Sequence, residues 1–372
     1  MTDPASRPYL SAPDKTELPA LTGVRALAAL AVVGWHASGF LTAVRFPFTH
    51  GYLGVDLFFI LSGFIISYVY WQEFERFSGR TYRRFIALRL ARLYPAHVAV
   101  LLVFCVLLAI AVLFGDRVMP DDVPREILAQ LLLVHNWGVV ERIRINVPSW
   151  SISAEFLAYL LFPLYVALFA RLRSRWALAI SIVAAMALCW FLLAVVLEWP
   201  VNTPGAPANI RVVCEFAVGV ALFRLWQGGQ VAHLPWTAIV AASVFAIALI
   251  GALTPPRHDL DYAIVLLMAP VIMGLASGAG IFSSILASRP FVYLGEISYS
   301  VYLVHALAIL LVENAVVRFG VPEQFTDASR WAFSLSAIAL SVLGGALLFH
   351  VVEKPARHWL RLRIDRRWPQ GV

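Results

Sequence analysis

Apolar positions in this chain gather into long blocks separated by short polar connections. Ten blocks, near 21–42, 52–71, 91–114, 150–170, 177–198, 208–227, 236–254, 262–281, 292–316 and 331–352, approach the roughly 20 residues a helix needs to cross a hydrocarbon core. The pattern predicts an all-α polytopic transmembrane helix bundle of about ten helices. The first block is too long for a signal-peptide core and is interrupted by Arg25 and His36, so it is expected to be retained. The sixth is the least regular, because it contains Arg211 and Glu215. Residues 1–20 are polar and Pro-rich and read as a disordered cytoplasmic tail, 21–357 as the membrane domain, and 358–372 as a basic cytoplasmic tail. No sequence repeat of the kind that marks transporter halves is present.

Composition agrees with this reading. Of 372 residues, 61% are hydrophobic and only 14% charged, with a mean hydropathy of +0.79; soluble domains average about 25% charged. Lys and Arg are distributed unevenly over the connections. The side holding both termini carries more than twice as many as the other, which places both termini in the cytoplasm of a multi-pass cell-membrane protein, on this reading the cytoplasmic membrane of a bacterium. The net charge of +7 is then a topology signal, and no nucleic-acid partner is needed to explain it. Cys105, Cys189 and Cys214 lie within apolar blocks without CxxC spacing, so neither a disulfide nor a metal framework is expected.

Ionisable residues inside the apolar blocks are the informative exceptions, because lipid does not tolerate them without a role. Arg25 and His36 are eleven residues apart, about 16 Å on a helix with a residual rotation of about 20°, so they share one face. A hairpin into the second block brings Asp56 to a depth similar to that of His36. Arg89 and Arg92 sit one turn apart at the inner mouth of the third block, whereas Arg76, Arg80, Arg83 and Arg84 read as headgroup anchors. In the long connection 115–149, the amphipathic piece EILAQLLLVHNW either lies in the interface or re-enters as a lid. Glu155 then enters the membrane, with Trp150 and Tyr159 fitting an aromatic belt. Arg211 and Glu215, at i and i+4, either pair with each other or bind an acceptor. In the ninth block Ser298, Tyr299, Tyr302 and His305 form a polar stripe that faces the bundle interior. The fifth, seventh and eighth blocks are nearly featureless and read as a lipid-facing wall.

Two clusters follow. His36, Asp56 and Glu155 form an external one suited to acid–base chemistry, with the carboxylate fixing the imidazole tautomer so that the ring can take a proton from a hydroxyl. Arg25, Arg89 and Arg92 form a cytoplasmic one whose guanidinium forks suit phosphates. Acyl-coenzyme A, an anionic head on a long thin arm, fits that division as a co-substrate, with no tightly bound cofactor and no metal. Trp150, Ser153, Arg211, Glu215, Tyr299, Tyr302 and His305 are the candidate contacts to the acceptor.

The Arg25 to His36 spacing, GYLGVDLFFILSGFIIS, RLARLYP, PSWSISAEFLAY, FVYLGEISYSVYLVHA and EKPAR, in that order over about residues 20–357, together resemble the acyltransferase-3 family of membrane acyltransferases. The resemblance implies a ten-helix core that transfers acyl groups, commonly acetyl from acetyl-coenzyme A, to hydroxyls of carbohydrate or lipid-linked glycan acceptors. It also implies that His36 is catalytic and that Arg25, Asp56, Arg89, Arg92 and Glu155 belong to the site. Some family members carry an additional extracytoplasmic hydrolase-like domain, absent from this chain, so a separate extracytoplasmic partner protein is a possible requirement. A secondary transporter or flippase, with His, Asp and Glu as a proton relay, is the rival reading.

Overall fold

The computed structural model describes residues 18–40, 48–114, 119–229, 233–256, 259–278, 280–319 and 326–369. All but Leu18, Pro19 and Ala20 of the expected N-terminal tail lie outside them. Fourteen helices follow one another among the described residues, and no strand is present: α1 (Pro19–Ala37), α2 (Gly54–Glu75), α3 (Gly79–Phe114), α4 (Val123–Leu131), α5 (Trp150–Leu160), α6 (Phe162–Phe169), α7 (Arg175–Trp190), α8 (Ala208–Gln227), α9 (Trp236–Leu253), α10 (Asp261–Ala276), α11 (Gly280–Leu286), α12 (Arg289–Phe319), α13 (Asp327–Leu348) and α14 (Lys354–Arg367). Seven are long and apolar enough to cross a membrane, and up to nine do so if α5 with α6 and α10 with α11 each form one broken span. The chain is therefore an all-α, multi-pass membrane protein. The α5–α6 break bends the path by 52°, and Pro163 at the start of α6, having no N–H to donate, interrupts the helical hydrogen bonding there. Helix α8 falls outside this count because Arg211, Glu215 and Arg224 give it three charged residues.

Two helices exceed the bilayer. α3 has 36 residues, and α13 continues through a π-helical turn at Phe349–Glu353 into α14, making 41 residues from Asp327 to Arg367. At 1.5 Å per residue these span about 54 and 62 Å, against about 30 Å of hydrocarbon. Their polar ends overhang on the same side, where Arg84 of α3 meets Asp365 of α14 at 2.7 Å. Residues 358–367, expected to be a tail, thus extend a spanning helix and are held against α3.

The inner helices are α1, α2, α8, α10 and α12, while α7, α9 and the apolar half of α3 keep large side chains such as Ile180, Val183, Phe245 and Leu113 outward. The eighth block does not belong to the lipid-facing wall. Ile264, Val265, Met268, Ile272 and Met273 of α10 are buried, because α10 packs between α9 and the α2–α8 pair. Close approach without a hydrophobic driving force depends on small residues. Gly63 of α2 and Gly219 of α8 face each other, so that a Cβ on either would overlap the carbonyl oxygen of Phe216 or Ile60. Replacing Gly219 by Leu is expected to force α2 and α8 apart and to cost on the order of 1–3 kcal/mol, read as a lower melting temperature in detergent. An unchanged melting temperature would show that the two backbones are not in contact.

Candidate active site

An elongated cavity of about 210 Å³ lies between α1, α2, α3, α5 and α12. Its α2 wall runs from Val55 to Ile66, eleven residues or about 16 Å, so it is a narrow shaft. The small-residue packing of α2 on α8 turns Val55, Phe58, Ser62 and Ile65 towards it, α3 contributes Arg89, Arg92 and Leu93, and α5 contributes Ser151, Ile152, Glu155 and Tyr159. Arg25, Tyr299 and Tyr302 close it from α1 and α12.

The three arginines expected to act together do meet in this shaft. Arg89 donates to the Tyr70 hydroxyl at 2.7 Å and lies over the rings of Tyr70 and Phe85. Arg92 is paired with the fully buried Glu353, whose second oxygen accepts from Ser300 at 2.6 Å, and it stacks over Tyr299 at 5.2 Å. Arg25 lies over the Phe58 ring at 5.9 Å. Among the described residues neither Arg25 nor Arg89 has a carboxylate within ion-pair distance. Among the described residues Glu155 is the only carboxylate lining the cavity, held by the hydroxyls of Ser62 at 2.6 Å and Tyr159 at 2.5 Å. Tyr159 is therefore part of the polar wall and not of an aromatic belt.

The external cluster is not formed as expected. Gly51 packs against Ala31 and Trp35, and Gly54 against Ala28, so Asp56 is level with residues nearly three turns below His36. Asp56 instead faces α8, where its Oδ1 lies 3.3 Å from Nε of Arg211, and Glu215 approaches the same nitrogen at 3.9 Å. All three are at most 1% exposed, and Trp150 covers the guanidinium at 4.9 Å. Trp150, Arg211 and Glu215, expected to contact the acceptor, make up this internal ion cluster outside the cavity. Ser153 is likewise committed: its hydroxyl donates to Leu133 O at 2.8 Å and accepts from Asn136 N at 3.1 Å, pinning the loop before α5. Glu155 belongs with the arginines, not with His36.

His36 is partnered differently. Its Nδ1 lies 3.0 Å from the carbonyl oxygen of Val32, and because a carbonyl only accepts, the proton is on Nδ1 and Nε2 keeps its lone pair. A backbone carbonyl fixes the tautomer that a carboxylate was expected to fix. Beside it, 4.8 Å between ring centroids, is His305, fully buried and with its Nδ1 donating to Tyr302 O. Tyr302 is 5.4 Å from His305 and lines the shaft, so a file of three rings leads from the shaft's end to His36. The polar stripe of α12 faces inward, with Ser298 and His305 fully buried and Tyr299 and Tyr302 on the cavity.

The segment EILAQLLLVHNW enters the protein rather than lying on it. Gln130 in the last turn of α4, and His135 and Asn136 after it, are buried. His135 donates through Nε2 to Ser149 O at 3.0 Å, and Gln130 to Ile145 O at 2.6 Å.

Comparison with known proteins fixes the family. The profile described as an acyltransferase domain, that of the acyltransferase-3 family, matches residues 18–350. The chain belongs to the acyltransferase-3 family. It is 31% identical to the acyltransferase MdmB of Streptomyces mycarofaciens over 94% of each chain. It is 24% identical to the putative peptidoglycan O-acetyltransferase YrhL of Bacillus subtilis and 23% identical to the peptidoglycan O-acetyltransferase OatA of Listeria monocytogenes, each over 91% of this chain. It spans 55% and 56% of those two proteins. No solved structure matches it.

Within this acyltransferase-3 chain, sequence reasoning missed Ser62, Tyr70, Ser151 and Glu353. Glu353 carried a legible signal, an acidic residue closing an apolar block in VVEKPAR, where a π-helical turn now places it; such turns recur at functional sites. Asp56→Ala would leave Arg211 buried with Glu215 alone. It is expected to lower stability by about 3–5 kcal/mol, measured by thermal unfolding in detergent, with Asp56→Asn losing less.

Proposed function

We propose that this protein is an O-acetyltransferase of the bacterial cytoplasmic membrane, moving an acetyl group from acetyl-coenzyme A to a hydroxyl of a carbohydrate or glycan-type acceptor. The single observation that carries the reading is the narrow shaft with surplus guanidinium charge in its walls and a neutral imidazole beyond its end. A phosphate-bearing head with a thin arm matches that shape and charge. With both termini in the cytoplasm, as the Lys and Arg bias indicates, the Arg89 end is the donor's entrance and His36 lies towards the outer face. Family membership and the names of the relatives favour transfer over transport.

In the reaction, Arg89, Arg92 and Arg25 hold the donor phosphates and arm, and Glu155 offsets part of their charge while the shaft is empty. The acceptor hydroxyl gives its proton to Nε2 of His36 as its oxygen attacks the thioester carbonyl carbon. The new C–O bond forms, the C–S bond breaks, and the proton passes from His36 to the departing thiolate, leaving an O-acetyl ester and free coenzyme A. The imidazolium that forms transiently keeps its Nδ1–H on Val32. Tyr302 and His305 stand between the shaft and His36, so once the donor has bound both rings move aside for the thioester to reach the base.

Replacing His36 by Ala is expected to lower acetyl transfer to a glycan acceptor about 10²–10⁴-fold with the protein still folded and inserted; retained transfer would remove His36 from the mechanism. Arg89→Ala and Arg92→Ala are expected to raise the KM for acetyl-coenzyme A roughly 10–100-fold, as loss of a charge-assisted hydrogen bond does. A rise in acceptor KM instead would reverse the assignment of the two ends. Release of free coenzyme A from radiolabelled donor separates the transferase from a transporter, which would release none.

A further inference from the structure

We propose that the apolar end of the shaft restricts the donor to short acyl groups, with Phe58 and Tyr302 setting the limit. This rests on the donor reading above. The shaft's walls change character along their length. Ser62, Glu155, Tyr159, Arg89 and Arg92 line its body together with Leu61, Ile65 and Leu93, whereas one turn further along α2 the lining becomes Val55 and Phe58, joined by Ile152, Ser151 and the Tyr302 ring, with Arg25 over Phe58. An acyl group at the tip of a thin polar arm has only this chamber, about one helical turn deep, in which to sit.

While the donor binds, before Tyr302 is released for transfer, the chamber's end wall is held in place. The Tyr302 hydroxyl accepts from Ser151 at 2.8 Å and donates to Pro148 O at 2.8 Å, both among buried residues. Phe58 meets the Tyr302 ring edge-on, with centroids 6.4 Å apart, and has the Arg25 guanidinium over it at 5.9 Å. Behind Tyr302 stands His305, fully buried. The acyl group is selected against this closed wall, before Tyr302 is released. Each further methylene has to displace a ring that is held at both ends, and such a wall discriminates more sharply than a soft apolar pocket, where one methylene is worth roughly 10–200-fold.

The test is a comparison of kcat/KM for acetyl- and butyryl-coenzyme A with one acceptor, on the full-length protein in detergent or liposomes. The wild type is expected to favour acetyl by about 10²-fold or more, and Phe58→Ala to shrink that ratio at least about tenfold by gaining butyryl transfer. Val55→Ala, which deepens the same chamber with a smaller change, is expected to shift the ratio in the same direction. Wild-type rates for the two donors that agree within about threefold, or a ratio unmoved in both variants, would overturn the proposal while leaving the donor reading intact. Failure of the wild type to turn over either thioester would overturn the donor reading and this inference together.

Discussion

A guanidinium or carboxylate placed inside a bundle surrounded by lipid costs several kcal/mol unless a partner goes with it, and the interior of this protein is arranged by where partners are supplied. Arg211 receives Asp56, Glu215 and the face of Trp150. Arg92 receives Glu353, and Arg84 receives Asp365 where α3 and α14 leave the hydrocarbon. Each of these joins helices distant in sequence, so the ion pairs also fix which helices are neighbours. Arg25 and Arg89 are treated differently: they have aromatic faces and, for Arg89, a phenol. Positive charge left uncompensated in a cavity wall is unfavourable in the empty protein and becomes favourable when an anion enters. That difference is a reserve of binding free energy for a polyanionic ligand.

The same constraint explains what could and could not be read from the amino-acid pattern. Length and hydropathy located every spanning block, because backbone hydrogen bonding in lipid leaves helices as the solution for such blocks. Rare charges within them marked Arg25, Arg89, Arg92 and Glu155, which do share one cavity. Partner choice was not legible. Depth along one helix says nothing of the direction a side chain points relative to other helices, and here the glycine contact of α2 with α8 turns Asp56 towards Arg211. Depth itself was misjudged for Asp56, since the chain returns past the end of α1 before α2 begins, with Gly51 already level with Ala31. Family resemblance grouped Arg25, Asp56, Arg89, Arg92 and Glu155 with His36, without saying that Asp56 faces α8 while Arg25, Arg89, Arg92 and Glu155 line the cavity. Tyr159 shows the reverse error: its position near a helix end suited a membrane interface, yet Glu155 one turn earlier draws its hydroxyl inward.

A shaft joining one side of a membrane to a base near the other creates a problem that the bundle has to solve. Open at both ends, it would admit water and ions across the bilayer. The closure is Tyr302, and its firmness depends on Pro148, whose carbonyl takes the phenol proton. Pro148 is itself held by the connection before α5. Gln130 fixes Ile145, Glu126 accepts from the backbone of Arg144 and Ile145, and His135, lying parallel to His97 of α3, holds Ser149. A segment that looks like a surface helix is thus the anchor for a latch some distance inside. Because both hydrogen bonds of that latch end on one hydroxyl, the ring can be released by breaking two contacts without moving a helix.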